Sequence, residues 1–225
     1  MSKRRLEGIY GILPPDLPLA RMLELAEAAL AGGVRILQLR DKKQGFKRAL
    51  KRARRLAEMV RAHDALLIVN DRPRLALESG ADGVHLGRSD MPKSLVTLRA
   101  ELRAGSRSLG GKELIIGVSC QGDAAFARHV LDEGADYVSF GAVFPSQTKR
   151  EAAPIGLPRL AKARKLFPDA NICAIGGITL EALPAVRRAG ADCAAVSRAL
   201  FASSDVVDCA RRMTAAWREA AMLAS

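Results

Sequence analysis

The chain has 225 residues, 49% of them hydrophobic, and a formal net charge of +12. This length suits one large domain with a substantial core, and this composition excludes an intrinsically disordered protein. No apolar run approaches the ~20 residues that span a bilayer, and residues 1–18 lack the apolar segment of a secretory signal, so we expect a cytoplasmic protein without a membrane partner. The cysteines are scattered and form no C-x-x-C pair, which indicates reduced thiols and no metal cluster.

The positive charge requires a nucleic-acid-binding function to be considered. The cations concentrate in helix-like segments such as residues 46–63, where Leu50, Ala53, Ala57 and Val60 form an apolar stripe and the basic residues are expected on the outer face. Aromatic residues make up 4% of the chain, too few for the stacking platforms that bind single strands. We therefore do not expect a nucleic-acid partner. A non-catalytic barrel that binds nucleic acid stays as an alternative, and salt-dependent affinity for DNA would support it.

Short apolar runs that alternate with amphipathic segments predict eight strands, each followed by a helix. The predicted strands cover residues 8–13, 34–40, 65–70, 83–87, 114–120, 137–143, 171–177 and 193–197. The last helix is predicted to start near Asp205. This alternation favours parallel pairing and an α/β fold, a closed (β/α)8 TIM barrel whose single domain spans residues 1–225. An open doubly wound sheet is the alternative, but its G-x-G-x-x-G fingerprint is absent after the first strand.

Three related segments, GADGVHLG, GADYVSFG and GADCAAVS, begin at Gly80, Gly134 and Gly190. Each has a glycine at the end of a predicted helix, then a short turn, then a strand. Their starts are separated by about two β/α units, and recurrence at that spacing supports a barrel built from similar units.

Side chains at the carboxyl ends of the strands are candidates for chemistry, because barrel enzymes build their active sites there. In the second strand, Gln38, Arg40 and Lys42 share one face, where two cations and an amide need a partner that satisfies them. The other strand ends contribute Asn70 and Asp71, Asp90, Ser119, Ser146, Thr148 and Lys149, Gly176 and Gly177, and Val196 and Ser197. Cations beside carboxylates and hydroxyls indicate a site for an anionic ligand.

Asp71 and Asp90 follow successive strands and are candidate metal ligands. Mg²⁺ usually takes one or two carboxylates together with substrate phosphate oxygens and water. Each Asp could instead cap a helix, since residues 70–79 and 89–96 both look like helix starts. Taken together, and beside Arg40 and Lys42, the two carboxylates favour a metal.

A second anion site is indicated after strands seven and eight, where barrels commonly bind phosphate through backbone N–H groups and a helix N-terminus. A glycine pair alone also fits a tight turn. The residues therefore indicate an enzyme with a metal and diphosphate pole on strands two to four and a phosphate pole on strands seven and eight. Such a site could join two phosphorylated small molecules, with pyrophosphate leaving.

Seven motifs occur in order from the second strand to the eighth: LQLRDK, VNDR, GVHLGRSD, IIGVSC, FGAVFPSQTK, AIGGIT and GADCAAVSRALF. Each is weak alone, but the ordered set resembles the thiamine phosphate synthase (thiamine-phosphate pyrophosphorylase) family over nearly the whole chain. The resemblance implies a barrel that joins hydroxymethylpyrimidine diphosphate to thiazole phosphate, releases pyrophosphate and uses Mg²⁺. It also implies a dissociative mechanism, in which the pyrimidine ring helps to expel pyrophosphate and the thiazole nitrogen attacks the resulting cation.

Residue roles follow from the same resemblance. The pyrimidine diphosphate would be bound by Gln38, Arg40, Lys42, Asn70, Ser119 and Lys149, and the catalytic residues among them would be Arg40, Lys42, Ser119 and Lys149. Mg²⁺ would be held by Asp71 and Asp90, and thiazole phosphate by Ser146, Thr148, Gly176, Gly177, Val196 and Ser197. The family usually has Thr where this chain has Ser146, which retains a hydroxyl. No protein nucleophile is required, so Cys120 is expected to be a bystander.

Two rival enzymes use the same barrel. A thiazole tautomerase shares many of the motifs but needs no metal and diphosphate pole, so Asp71, Asp90, Arg40 and Lys42 argue against it. A sugar-phosphate epimerase-type barrel would have paired histidine ligands at its strand ends. His85, inside strand four, is expected instead to be a satisfied core or supporting residue. The sequence leaves the oligomeric state open, a homo-oligomer included.

Overall fold

Eight parallel strands close into a barrel in the computed structural model, which describes residues 6–41, 43–145 and 154–223. The strands are β1 Gly8–Ile12, β2 Ile36–Leu39, β3 Leu66–Asn70, β4 Gly83–Leu86, β5 Ile115–Ser119, β6 Tyr137–Phe140, β7 Asn171–Ile175 and β8 Cys193–Val196. Successive strands pair with one another, and β1 pairs with β8, so the sheet closes on itself. The predicted (β/α)8 fold is confirmed, and every strand lies within its predicted run.

Helices cover the outside of the barrel. They are α1 Leu19–Ala31, α2 Phe46–Ala62, α3 Pro73–Ser79, α4 Leu95–Ser108, α5 Ala124–Asp132, α6 Gly156–Leu166, α7 Leu183–Arg188, α8 Arg198–Phe201 and α9 Val206–Met222. The predicted start of the last helix is confirmed, because the Asp205 carboxylate accepts a hydrogen bond from the Asp208 N–H at 2.9 Å and so caps α9. Within the described part of the chain, no helix is long and apolar enough to cross a membrane.

The strands are buried on both faces, which explains why they appear in the sequence as apolar runs. In β2, Leu37 and Leu39 pack in the outer core under the helices, whereas Ile36 packs inside the barrel. All four β2 residues are buried, as expected for a parallel sheet covered by helices. Gln38 points to the interior, like Ile36, because side chains alternate along a strand.

The strand register arranges the interior side chains in layers, each drawn from alternate strands. From the bottom of the barrel upward, the layers are Ile36, Gly83, Tyr137 and Cys193, then Tyr10, Ile68, Gly117 and Cys173, then Gln38, His85, Ser139 and Ala195, and then Ile12, Asn70, Ser119 and Ile175. Two residues beyond the third layer, at the mouth, come Arg40, Gly87, Gly141 and Ser197. Polar side chains are therefore more frequent in the third layer and above than in the two lowest layers.

The three repeated GAD segments have a structural role at the opposite end of the barrel. Their carboxylates, on Asp82, Asp136 and Asp192, accept hydrogen bonds from backbone N–H groups near the starts of the neighbouring strands. The donors are the N–H groups of Leu67 at 3.0 Å, Ile116 at 2.7 Å and Ile172 at 2.8 Å. The internal repetition therefore reflects stability at the bottom of the barrel, where backbone groups must be satisfied.

The expectation that the basic residues of α2 lie on its outer face is wrong for Arg52, which is 6% exposed. Its Nε lies 2.7 Å from the Oδ2 atom of Asp41, which is also buried. A buried carboxylate requires a cation nearby, and this requirement brings Arg52 inward. Other cations of the helix, such as Lys51 and Arg54, are exposed as predicted.

Candidate active site

Arg40 directly follows β2 at the mouth of the barrel and is partly buried. Among the residues that the structure describes, no hydrogen bond or ion pair satisfies its guanidinium group. Arg72, in the loop after β3, behaves differently, because it donates to the backbone oxygens of Asp41 and Gln44 at 3.3 and 3.0 Å. Arg72 therefore ties two loops together, whereas Arg40 remains available to an anionic ligand.

The carboxylates of Asp71 and Asp90 converge on Gly87, which follows β4. Oδ1 of Asp71 accepts a hydrogen bond from the Gly87 N–H at 3.0 Å. A Cβ atom on Gly87 would lie 2.8 Å from Asp90 Oδ2 and 3.6 Å from Asp71 Oδ1. The absence of a side chain at Gly87 thus lets the Asp90 carboxylate approach the backbone beside Asp71, and a Cβ atom at this position would collide with it.

Neither carboxylate caps a helix. The residue that precedes α3 is Arg72, without a side-chain cap, and the cap of α4 is Ser94, which accepts from the Thr97 N–H at 3.3 Å. The alternative interpretation of Asp71 and Asp90 as helix caps is therefore wrong. Asp71 also has a left-handed backbone, with φ at 58°, a conformation that costs free energy in a non-glycine residue and that is found preferentially at functional sites.

A chain of hydrogen bonds lies beneath the mouth and holds Gln38. Its Nε2 donates to the Tyr10 hydroxyl at 2.7 Å, the Tyr10 and Tyr137 hydroxyls are 3.2 Å apart, and the Tyr137 hydroxyl lies 2.9 Å from His85 Nδ1. Every hydroxyl proton finds an acceptor if Tyr10 donates to Tyr137 and Tyr137 donates to His85. The expectation that His85 is a satisfied core residue agrees with this chain.

Burial controls the ionisation of the two tyrosines in this hydrogen-bond network. Burial inside the barrel raises the pKa of Tyr10 and of Tyr137 well above the ordinary value. Both therefore remain neutral hydrogen-bond donors at physiological pH. Gly117 makes room for the Tyr137 ring, because a Cβ atom there would lie 2.0 Å from Tyr137 Cζ.

Asn70 and Ser119 lie one layer above Gln38, on the interior face of β3 and β5. The Asn70 amide donates to the Asp71 carboxylate, and this bond links the predicted diphosphate-binding residues to the predicted metal ligands. Cys120 is buried, and its burial raises the pKa of its thiol to about 12. A thiol that stays protonated is a poor nucleophile, in agreement with its interpretation as a bystander.

The predicted phosphate pole has tight backbone packing after β7. Gly176 and Gly177 have φ values of 98° and 65°, and a Cβ atom on them would lie 2.5 Å from Ala142 Cβ and 2.4 Å from the Pro145 oxygen, respectively. The glycines therefore let the β7 loop approach the β6 loop closely. Next to them, the Ser197 hydroxyl donates to the Ile12 oxygen at 2.7 Å. Although Ser197 directly precedes α8, its side chain makes no capping hydrogen bond to that helix.

Four of the predicted site residues lie outside the described part of the chain: Lys42, Ser146, Thr148 and Lys149. Their roles stay predictions. Among the described residues, no cluster of three or more metal-ligating side chains is present. The pair formed by Asp71 and Asp90 suits a cation that completes its coordination with substrate oxygens and water.

Comparison with known proteins identifies the family. A family model described as thiamine monophosphate synthase matches residues 9–200. The chain belongs to the thiamine monophosphate synthase family. The thiamine-phosphate synthase of Chromobacterium violaceum is 46% identical over 213 residues, which cover 95% of this chain and 97% of that protein. The thiamine-phosphate synthase of Thioalkalivibrio sulfidiphilus is 43% identical over 213 residues, which cover 94% and 95% of the two chains.

A solved structure agrees with this assignment to the thiamine monophosphate synthase family. The thiamine phosphate pyrophosphorylase from Pyrococcus furiosus superposes with a TM-score of 0.83 at 29% identity, covering 96% of this chain and 98% of that chain. The predicted family is thus confirmed, and so is the enzyme class, a transferase of thiamine biosynthesis. The rival interpretation as a thiazole tautomerase is not favoured, because the curated relatives carry the synthase name.

Sequence reasoning missed an ion pair, between Asp41 and Arg52, that shapes this synthase-family site. Asp41 lies between Arg40 and Lys42 in the LQLRDK motif, and its ion pair with Arg52 fixes the loop after β2 to α2. The pair is close but poorly aligned, and no hydrogen bond from a described residue satisfies the Asp41 carboxylate. A signal was present in the sequence, because Arg52 interrupts the apolar stripe of α2, three residues after Ala49.

A surface hollow of about 370 Å³ lies away from the barrel mouth, beside α2. Its lining residues are Lys47, Leu50, Lys51, Arg54, Arg55 and Glu58. None of these is a predicted site residue.

Proposed function

We propose that the protein joins hydroxymethylpyrimidine diphosphate to thiazole phosphate and releases pyrophosphate, with both substrates bound at the mouth of the barrel. Family membership supports this reaction. The observation that carries the site assignment is the convergence of the Asp71 and Asp90 carboxylates beside Gly87. Arg40, which has no partner among the described residues, lies in the same layer at the mouth and would bind the anion that accompanies the metal.

Arg40 is proposed to bind the diphosphate, with Lys42, Lys149, Asn70 and Ser119. Its guanidinium lacks a partner among the described residues, and charge-assisted hydrogen bonds to phosphate oxygens are strong. Pyrophosphate leaves with negative charge, so cations that stabilise it in the transition state lower the barrier. This accounts for the polar face of β2, which is costly to bury without an anionic ligand.

Asp71 and Asp90 are proposed to hold Mg²⁺. The donor set fits, because oxygen ligands suit this ion and both carboxylates lie close to the same glycine, Gly87. Bound there, Mg²⁺ would supply positive charge to the diphosphate oxygens. Asn70 orients one ligand by donating to Asp71, and ligands fixed by such outer contacts bind metal better.

Gln38 is proposed to contact the pyrimidine ring. Because its Nε2 is held by Tyr10, its amide orientation is set before the substrate binds. No protein nucleophile is needed: the ring's electrons expel pyrophosphate, and the thiazole nitrogen then attacks the resulting cation. The chain contributes by positioning the two rings and by stabilising the leaving group.

Thiazole phosphate is proposed to bind after β7 and β8, at Gly176, Gly177, Val196 and Ser197, with Ser146 and Thr148 from the β6 loop. The Ser197 hydroxyl already donates to the Ile12 oxygen. We therefore assign phosphate binding there to backbone N–H groups, and the hydroxyl holds β8 against β1. A cytoplasmic location and phosphorylated small molecules as the ligands belong to the same proposal, and a homo-oligomer stays open.

One assay tests the reaction and the metal site together. Mixing the two precursors with Mg²⁺ should give thiamine phosphate and pyrophosphate in equal amounts. Asp71→Asn and Asp90→Asn should each lower turnover by about 100-fold, and Asp169→Asn, in an exposed turn before β7, should change nothing. Absence of product with the unaltered protein would refute the reaction. Full activity of both variants at limiting Mg²⁺ would refute the metal site alone.

A further inference from the structure

Ser139 carries a polar group that nothing in the described structure satisfies. It lies on β6, is 2% exposed, and its Oγ has no hydrogen-bond partner among the described residues. A buried hydroxyl without a partner costs free energy, so native proteins rarely keep one without a reason. A buried hydroxyl without a hydrogen-bond partner indicates that a bound ligand supplies the partner.

The strand register points this hydroxyl into the barrel. Tyr137, two residues earlier on β6, packs in the inner core, whereas Val138 and Phe140 pack in the outer core under the helices. Because side chains alternate along a strand, Ser139 faces the interior. It pairs with Ser119 of β5, which faces the same way one layer nearer to the mouth.

The layer that contains Ser139 also contains the proposed pyrimidine contact. Gln38 and His85 belong to it, with Ala195 as the fourth member. β2 and β6 lie on opposite sides of an eight-stranded barrel, so Ser139 faces Gln38 across the interior. Gln38 Nε2 and His85 Nδ1 are each hydrogen-bonded to one of the two phenols beneath them. The Ser139 hydroxyl has no such partner below it.

We propose that Ser139 is a binding residue for the pyrimidine substrate, and that its hydroxyl donates a hydrogen bond to a ring nitrogen of the pyrimidine from the side opposite Gln38. This inference rests on the proposed pyrimidine-binding site at Gln38. A planar ring held between β2 and β6 presents one edge to each wall, and the nitrogen atoms of a pyrimidine are its ring acceptors. β6 also lies between the strands of the two phosphate poles, at the level where the two rings must meet.

The hydrogen bond serves binding rather than bond cleavage. A ring that loses electrons as pyrophosphate departs is a weaker acceptor than the intact substrate. The contact is therefore at least as strong in the bound substrate as in the transition state, and its loss should raise KM without lowering kcat. This pattern separates Ser139 from Arg40, whose loss should lower kcat because it stabilises the leaving group.

The test replaces one hydroxyl. Ser139→Ala should raise KM for the pyrimidine diphosphate, and the Kd measured by calorimetry with Mg²⁺ and without thiazole phosphate, by about 3- to 10-fold, the usual effect of one neutral hydrogen bond. The KM for thiazole phosphate and kcat should stay unchanged. Ser106→Ala is the matched control, since its Oγ is also buried without a partner but lies on α4, outside the barrel.

Two pyridine analogues of the substrate, each with one ring nitrogen replaced by CH, identify the acceptor. One of them should bind the unaltered protein about 3- to 10-fold more weakly than the pyrimidine does, and should show no such loss with Ser139→Ala. Equal losses in both proteins for both analogues, or an unchanged Kd in Ser139→Ala, would overturn the inference.

A variant of Gln38 distinguishes a failure of the Ser139 contact from a failure of the proposed pyrimidine-binding site. Gln38→Ala should also weaken pyrimidine binding. If Gln38→Ala weakens binding and Ser139→Ala does not, the inference about Ser139 is wrong and the proposed pyrimidine-binding site at Gln38 is supported. If neither variant weakens binding, the proposed pyrimidine-binding site at Gln38 is itself wrong.

Discussion

Raising the pH should unfold the protein before either of its two tyrosines ionises. Both lie inside the barrel, and burial raises the pKa of each phenol well above its usual value. In the unfolded chain both would ionise near pH 10. Above that pH the unfolded state releases two protons that the folded state keeps, so stability present below about pH 10 is lost as the pH rises.

The size of this effect follows from linkage. Each phenol that stays protonated only in the folded state removes about 1.4 kcal/mol of stability per pH unit, and the two together remove about 2.7 kcal/mol per unit. By about pH 12 the loss is roughly 5 kcal/mol, which is comparable to the whole stability of many domains. Alkaline unfolding should therefore be steep.

The assay follows phenolate absorbance and far-ultraviolet circular dichroism in the same samples as the pH rises. The two signals should change together in one transition, because ionisation requires unfolding. Tyr10→Phe leaves one phenol and should halve the absorbance change. Phenolate absorbance that appears near pH 10, while the circular dichroism stays native, would refute burial as the controlling effect.

Two substitutions test the packing around the site. Arg52→Met should lower the free energy of unfolding in urea by about 3 kcal/mol, because it leaves Asp41 buried without a cation. The double variant Asp41→Leu/Arg52→Met should recover most of the lost stability, and an equal loss in the single and the double variant would contradict this explanation. Gly117→Ala places a Cβ atom 2.0 Å from Tyr137 Cζ and should cost about 2 kcal/mol or more, whereas Gly111→Ala, whose nearest atom would be 3.5 Å away, should cost little.

The barrel could be predicted because its strands are short and buried on both faces. Each therefore appears as an apolar run between turn residues, and the regular alternation with helices implies parallel pairing. The predicted runs extended past the observed ends at the mouth, for example to Val143 where β6 ends at Phe140. Apolar residues in the loops contact the core as well, so hydrophobicity alone does not mark where a strand leaves the sheet.

The candidate site could be predicted as a set of strand ends but not as an arrangement. Asp71 and Asp90 were identified from type and position, and each had an alternative as a helix cap. The observed caps of α3 and α4 exclude the helix-cap interpretation, whereas the metal role stays a prediction. The approach of both carboxylates to Gly87 depends on how two loops turn after their strands. Asp41 was overlooked because its partner Arg52 lies on a helix whose cations were all assigned to solvent.

The interior of the barrel was the least predictable part, for a reason that follows from barrel geometry. The Tyr10 and Tyr137 hydroxyls meet although 127 positions separate them, because both side chains point into the barrel from adjacent layers. A sequence shows that a residue faces inward but not which residue it faces. Once the register is known, Ser139 comes to lie opposite Gln38, and a serine outside the seven family motifs becomes a candidate contact for the substrate. Residues that set the orientation of a ring in such a barrel should therefore be sought by layer rather than by motif.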